Sequence, residues 1–281
     1  MTIKPLSYKD IPSTNSVEFE SFIKEWESKC NDLMFFSSKW PVVKRENAIS
    51  VRKKSLSPGD TKQWYCREVK SSNVKYETLR KLLFLDQAKS QRLYNTNIIE
   101  IKCIEGILLG VAEIVHTKYR KRWGGKKRDF CSINIKNEVT DPQIAQSRRV
   151  YTPGSGLSGV QALAEAAGIL PRPSKNDAVS AIYHALRTSA NNKVVRKFQI
   201  ISIPINHGNC QKVPGSIRAY IESYEEVREL ANGEIEWISV QSFEPGGWVL
   251  RSVAEKKYFS ELFLDAEQIF QLAMENMIIE I

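Results

Sequence analysis

Glu234-Ile235-Glu236-Trp237-Ile238-Ser239-Val240-Gln241-Ser242-Phe243-Glu244-Pro245-Gly246-Gly247-Trp248 is the stretch on which the fold turns. It is β-like as far as Phe243 and breaks at Gly246-Gly247-Trp248. Downstream, Tyr258, Leu262, Ala266, Ile269, Phe270, Ala273 and Met277 recur at three- and four-residue steps. That period lays one apolar stripe along a helix expected to start near Val249 or Leu250 and to run almost to the chain's end. Upstream lie two further β-like runs, 198–206 and 215–227, the latter alternating through Ile217, Ala219 and Ile221 as a strand with one packed face does. An antiparallel meander closing into a last helix predicts an α+β fold in which a curved sheet wraps that helix. Such a fold packs solid or leaves a hollow, and a hollow is where a ligand would sit.

With 281 residues, 42% of them hydrophobic, the chain is long enough to bury a substantial core. No apolar run approaches the roughly 18 residues that a membrane-spanning helix needs, and residues 1–15 lack the apolar block of a secretion signal. A cytoplasmic location with transient peripheral membrane association is the expectation. Cys30, Cys66, Cys103, Cys131 and Cys210 are odd in number and widely separated, so they read as reduced and mostly buried thiols. His116, His184 and His207 stand at no metal-ligand spacing, and neither a metal nor a cofactor is expected. The formal charge of +9 suits an anionic membrane, a nucleic acid or an acidic partner without choosing among them.

Along the chain, Ser16 is an expected N-cap for a helix closing by Asn31, with Phe19, Phe22, Ile23 and Trp26 on its apolar face. Residues 41–61 are basic and turn-rich, 64–70 alternate like a strand, and 73–95 read as helical. Two strands between 97 and 116 are expected to meet at Glu105-Gly106, and another strand runs over 128–137. Residues 138–192 break the rhythm and read as an insertion or lid. The domain plan is thus a helical extension over 1–62 and a ligand-binding domain over 63–281 with that insertion, itself a candidate contact for a protein partner. Gly154-Ser155-Gly156 lacks the Lys-Ser/Thr pair of a phosphate loop, and no nucleophile elbow is present.

Basic residues concentrate in one segment: Lys118, Arg120, Lys121, Arg122, Lys126, Lys127 and Arg128 surround Trp123, Gly124 and Gly125. It reads as a solvated turn, as a membrane contact with an interfacial tryptophan, or as an RNA site with one stacking platform. By strand alternation Arg128, Phe130, Ser132 and Asn134 share a face. Turned to solvent, that face is ordinary; turned inward, its polar groups need partners.

Arg128-Asp129-Phe130-Cys131-Ser132, Gly215-Ser216-Ile217-Arg218-Ala219, and Ile235-Glu236-Trp237 running through Gly247-Trp248-Val249 together resemble the START family of steroidogenic-acute-regulatory-related lipid-transfer domains. The layout is most similar to uncharacterised START-like proteins of fungi, over about residues 64–277 without the insertion. The resemblance implies a helix-grip fold around a hydrophobic tunnel for one lipid, gated by the C-terminal helix and the loop before the Arg-Asp-Phe strand. That loop is here the segment of Trp123, Gly124 and Gly125, which favours membrane contact. It also implies a sterol-binding carboxylate at Glu113 and a basic group where this chain has Asn134, so a simple sterol fits poorly.

The expected function is therefore a non-enzymatic lipid-binding or transfer protein for a phospholipid, sterol or related lipid, exchanged at anionic membranes. Glu113, Arg128, Ser132, Asn134 and Arg218 are the candidates for orienting the polar end. Phe130, Ile200, Trp237, Phe263 and Phe270 are those for lining the cavity. A cavity enzyme using Glu113 or His116 is one rival. A basic RNA-binding module is the other, although no nucleic-acid partner is expected.

Overall fold

The computed structural model describes residues 3–56, 62–122, 126–140, 193–249 and 251–279. Its strands are β1 (Leu6–Ser7), β2 (Val42–Glu46), β3 (Ile49–Lys53), β4 (Trp64–Ser71), β5 (Ile98–Leu108), β6 (Ala112–Arg122), β7 (Lys126–Thr140), β8 (Val194–Asn206), β9 (Ile217–Arg218), β10 (Tyr220–Leu230) and β11 (Ile235–Glu244). They form one sheet ordered β2-β3-β4-β11-β10-β8-β7-β6-β5, antiparallel at every step, while short β1 and β9 pair in parallel with β8 and β7. The helices are α1 (Val17–Ser37), α2 (Tyr76–Leu79), α3 (Gln87–Tyr94) and α4 (Arg251–Ile279).

Strand alternation divides the side chains between two covered faces. On the inner face Phe198, Ile200, Val227 and Trp237 pack against Tyr258, Leu262, Ala266, Ile269 and Ala273 of α4. On the outer face Ile114, Ile133, Ile201 and Val240 pack against Phe19, Cys30 and Met34 of α1. Each large apolar side chain enclosed this way contributes about 1.5–3 kcal/mol. The stripe that the sequence places on the last helix is buried at Tyr258, Leu262, Ala266, Ile269 and Ala273 and half-buried at Phe270, while the Met277 side chain lies outside the described residues. The fold is the α+β sheet-and-helix arrangement expected.

Local chemistry sets the element ends. Ser16 caps α1, its Oγ accepting from the Phe19 backbone N–H at 3.2 Å. The helix then outruns the expected end at Asn31, because Met34 and Ser37 keep its buried side in contact with the sheet. The helical stretch expected over 73–95 is interrupted: α2 widens into π-helical turns over Arg80–Leu85 and the chain restarts as α3 after Asp86. Residues 42–53, read as turn-rich, form the β2–β3 hairpin that extends the sheet, so strands as well as α1 lie within the first 62 residues.

The expected hairpin turn at Glu105-Gly106 lies elsewhere. Gly106 pairs with Glu113, and the chain reverses at Leu109-Gly110-Val111, where Gly110 takes a φ of 72°. Glycine supplies that left-handed backbone without a Cβ penalty. The basic segment is mostly strand rather than loop, for β6 extends through Arg122 and β7 resumes at Lys126. Its centre, Trp123, Gly124 and Gly125, lies outside the described residues, as do residues 141–192 of the insertion. Strand β7 continues to Thr140 before them.

Candidate functional site

Five polar residues stand in line across the inner face beneath α4. Gln241 of β11 is opposite Ser223 of β10, Ser223 opposite Ser202 of β8, Ser202 opposite Asn134 of β7, and Asn134 opposite Glu113 of β6. All five line a cavity of about 190 Å³. Its roof is helical, with Gln87, Gln91 and Tyr94 from α3 and Asp265 and Ile269 from α4. The Asn95 amide donates to Asp265 Oδ1 at 3.4 Å and ties the two roof helices together.

The next row of the inner face is charged. Arg67 of β4 and Glu225 of β10 flank Ser239 of β11, and both line the cavity. The Arg67 guanidinium lies 3.8 Å from the Trp237 ring centroid, and its Nη1 donates to the Leu262 carbonyl at 3.1 Å. Its Nε is buried with no hydrogen-bond partner. Trp237 Nε1 donates to Glu225 Oε2 at 3.1 Å. Burial nevertheless raises the Glu225 pKa against the pull of Arg67, so this carboxyl retains its proton more readily than an exposed one. Burial likewise lifts the Tyr94 hydroxyl well above its usual range, with Asp265 and Glu225 adding to the shift.

Of the residues singled out in the sequence, Glu113, Phe130, Ser132, Asn134 and Trp237 line this cavity. Glu113 pairs with Lys136 at 3.1 Å, and the Ser132 hydroxyl donates to Asn134 Oδ1 at 3.1 Å. Lys136 thus provides, two residues beyond Asn134, the cation that the Asn134 position lacks. Phe130 meets Tyr119 edge-on. The other candidates sit elsewhere. Arg128 faces inward, but its Nε donates to the Pro245 carbonyl at 2.8 Å and its Nη1 to that of Lys126 at 3.0 Å. Ile200 and Phe263 are buried in the inner core, with Lys44 over the Phe263 ring, and Phe270 stacks against Trp237 with 6.2 Å between centroids.

Arg218 lies on the outer side, paired with Asp129 at 2.7 Å. His116 belongs to that side too, so it shares no site with Glu113 and the two cannot serve one catalytic centre.

Arg120, Lys126 and Lys127 are exposed on the β6–β7 hairpin, and Lys118 pairs with Glu100. Lys121 and Arg122 are described as strand backbone alone. Sequence reasoning missed Arg67, Ser202, Ser223, Glu225, Gln241 and Lys136. Their signal was polar residues at alternate places in runs otherwise apolar, and it becomes a line only once strand register is known.

Among the described residues no cluster of His, Cys, Asp and Glu could hold a metal, and no helix is long and apolar enough to cross a membrane. A family model described as "Protein of unknown function (DUF3074)" matches residues 64–273. No curated protein sequence matches the chain. Among solved structures, the human StAR-related lipid transfer protein 5 is similar with a TM-score of 0.60 at 11% identity, covering 92% of this chain and 99% of its own. Human STARD10 gives 0.58 at 11%, over 95% and 83%; a STAR-related lipid transfer protein fragment from Xanthomonas axonopodis gives 0.53 at 10%, over 83% and 98%. These likenesses show the START helix-grip fold.

Proposed function

The chain belongs to the family of that matching model, the DUF3074 proteins, and we propose that it is a non-enzymatic lipid carrier of START architecture, holding one lipid between the sheet and α4. Two solved proteins of the same fold carry lipid transfer in their names. The observation that carries the reading is the polar line from Gln241 to Glu113, in a half-open cavity beneath α4 beside Val115, Phe130, Ile221, Trp237 and Ile269. Beside this line the cavity-lining Arg67 Nε is buried with no hydrogen-bond partner, and a lipid's polar end supplies one while its apolar part meets the flanking side chains.

A cavity of about 190 Å³ is below the roughly 300 Å³ at which pockets for drug-sized ligands begin. Lipid entry therefore requires α3 and α4 to move off the sheet. Gly246 and Gly247, with φ of 63° and 65°, form the break before α4 and are the proposed hinge. A Cβ on Gly246 would come within 2.5 Å of the Arg218 carbonyl oxygen, so the break tolerates no larger residue without a shift. The hydrogen bond from Arg128 to the Pro245 carbonyl joins this hinge to the root of the basic hairpin. Trp248 is fully exposed beside it, and Lys256 and Lys257 are exposed on the first turns of α4. These cations and the indole are the proposed docking face for an anionic membrane, where a bound headgroup layer would favour the opened state.

The experiment is partition onto anionic vesicles and transfer of a labelled phospholipid between vesicles. At about 1 kcal/mol per cation, Lys126→Ala with Lys127→Ala should weaken vesicle binding by about 2 kcal/mol, roughly 30-fold, and slow transfer in step. Circular dichroism should stay as in the parent. Unchanged partition by this variant would remove the hairpin from the mechanism.

A further inference from the structure

On the outer side of the sheet, four chain segments bring two thiols into one charged, buried cluster. Asp129 of β7 is fully buried, and its Oδ2 receives hydrogen bonds from His116 Nε2 of β6 at 3.1 Å and from Arg218 Nε of β9 at 2.9 Å. Its Oδ1 is buried with no hydrogen-bond partner. Cys131 of β7 stands directly opposite His116 in the β6–β7 register. Cys210 comes from the loop between β8 and β9; its carbonyl accepts from Arg218 Nη2 at 2.9 Å, and its side chain is 3% exposed while Asn209, Gln211 and Lys212 around it are exposed. Cys131 and Cys210 belong to one buried cluster, where the Cys210 thiol interacts with Cys131 and His116.

The charges of this cluster compensate one another. Hydrogen bonds to Asp129 and then to Cys210 raise the His116 pKa to about 9, so the ring is an imidazolium at neutral pH. Burial works against ionisation of Asp129, but His116 and Arg218 outweigh it and lower its pKa. The interaction with Cys131 is the largest influence on Cys210, and with His116 and Arg218 it overcomes burial to hold that thiol below its usual range. Cys131 is pushed up by the Cys210 sulfur and by burial, and keeps its proton. Two thiols in one buried cluster, the more acidic one beside a histidine and an arginine, are what a dithiol redox site needs.

We propose that Cys131 and Cys210 form a reversible dithiol–disulfide site that reacts with hydroperoxides, Cys210 attacking and Cys131 resolving. In the first step the Cys210 sulfur attacks one peroxide oxygen and the O–O bond breaks. The leaving oxygen takes the proton of His116, giving a sulfenic acid on Cys210 and water, or an alcohol from an organic peroxide. In the second step the Cys131 sulfur attacks the sulfenic sulfur and the S–O bond breaks. Hydroxide departs with the Cys131 proton as water, and the disulfide is left. Two electrons pass from the thiols to the peroxide, and a thiol reductant such as glutathione returns them. Because Cys210 is the one buried residue between exposed neighbours, opening its loop suffices to admit a small oxidant. The disulfide would tie that loop to β7 beside Arg218, whose carbonyl the Gly246 hinge abuts.

The test treats the reduced full chain with hydrogen peroxide, alkylates at intervals and maps the peptides. The expected product is a Cys131–Cys210 cross-linked peptide, two hydrogens lighter and reversed by dithiothreitol, formed while exposed Cys103 remains alkylatable. In Cys131→Ser the product should become a Cys210 sulfenic acid captured by dimedone, and in His116→Gln the rate at neutral pH should fall at least about tenfold. Oxidation of Cys103 ahead of an unreacted pair, or an unchanged rate in His116→Gln, would overturn the proposal. If these variants fail to fold, the parent's pH profile decides. A Cys210 rate flat from about pH 6.5 to about 8.5 supports the site, whereas a rise of about tenfold per unit, as expected of an ordinary thiol such as Cys103, overturns it.

Discussion

Trp237→Ala is expected to lower folding stability by about 3–5 kcal/mol, the range for truncating a buried aromatic side chain. Trp237 is 1% exposed and joins three things: the stack with Phe270 of α4, the guanidinium of Arg67, and the carboxyl of Glu225. Its removal deletes the apolar contact area and leaves a void continuous with the existing cavity, so water reaches Arg67 and Glu225 where the ring excluded it. A urea midpoint lowered at unchanged slope would report the loss as stability alone. Trp237→Phe should retain most of the ring packing and lose chiefly the N–H bond to Glu225, costing about 1–3 kcal/mol. A loss below about 1 kcal/mol for Trp237→Ala would mean that this ring is not what seats α4 on the sheet.

On the opposite face, Glu226→Ala should cost about 3–5 kcal/mol, because deleting one partner of a buried ionic cluster strands the others. Glu226 is 1% exposed; it accepts from Lys197 Nζ at 2.8 Å and from the Gln199 amide at 2.5 Å, and it pairs with Arg228. Burial opposes its ionisation, yet Arg228 and Lys197 prevail and lower its pKa from 4.5 to about 2. With the folded value below the unfolded one, its contribution is full above about pH 4.5 and is lost as pH falls through about 2. Glu225, shifted the other way, contributes with the opposite sign, but it is common to parent and variant. The stability difference between the parent and Glu226→Gln should therefore shrink as pH falls from 4.5 to 2. A difference independent of pH would show that Glu226 does not titrate as an ion in this cluster.

The sequence displayed the elements whose burial is periodic. The stripe of Tyr258, Leu262, Ala266, Ile269 and Ala273 and the alternation of Ile217, Ala219 and Ile221 each carry the period of their structure, and Ser16 carries the chemistry of a cap. Strand β2 was hidden because Val42–Glu46 is exposed along its whole length, which leaves no alternation to read. The basic strands around Trp123 were hidden for a related reason, since a run of cations in a hairpin looks like a loop when composition is the guide.

The candidate site was half legible. Glu113, Phe130, Ser132, Asn134 and Trp237 converge because residues two apart on a strand share a face. Arg67 and Gln241 lie far from them in sequence and join the row only through pairings of distant strands. The same holds for the outer cluster: Cys131 and Cys210 read as scattered thiols until the β8–β9 loop folds back over β7. Long-range register is what one sequence withholds.

The most direct measurement is native mass spectrometry of the purified full chain after equilibration with vesicles of mixed phospholipid and sterol. The expected result is a single one-to-one adduct with the mass of a lipid, released on activation and identified by extraction. Its occupancy should fall sharply when the polar line is filled by Ser202→Leu and Asn134→Leu in a variant that still unfolds cooperatively. A chain that remains free of lipid at every vesicle concentration, with no lipid in its extract, would contradict the carrier account.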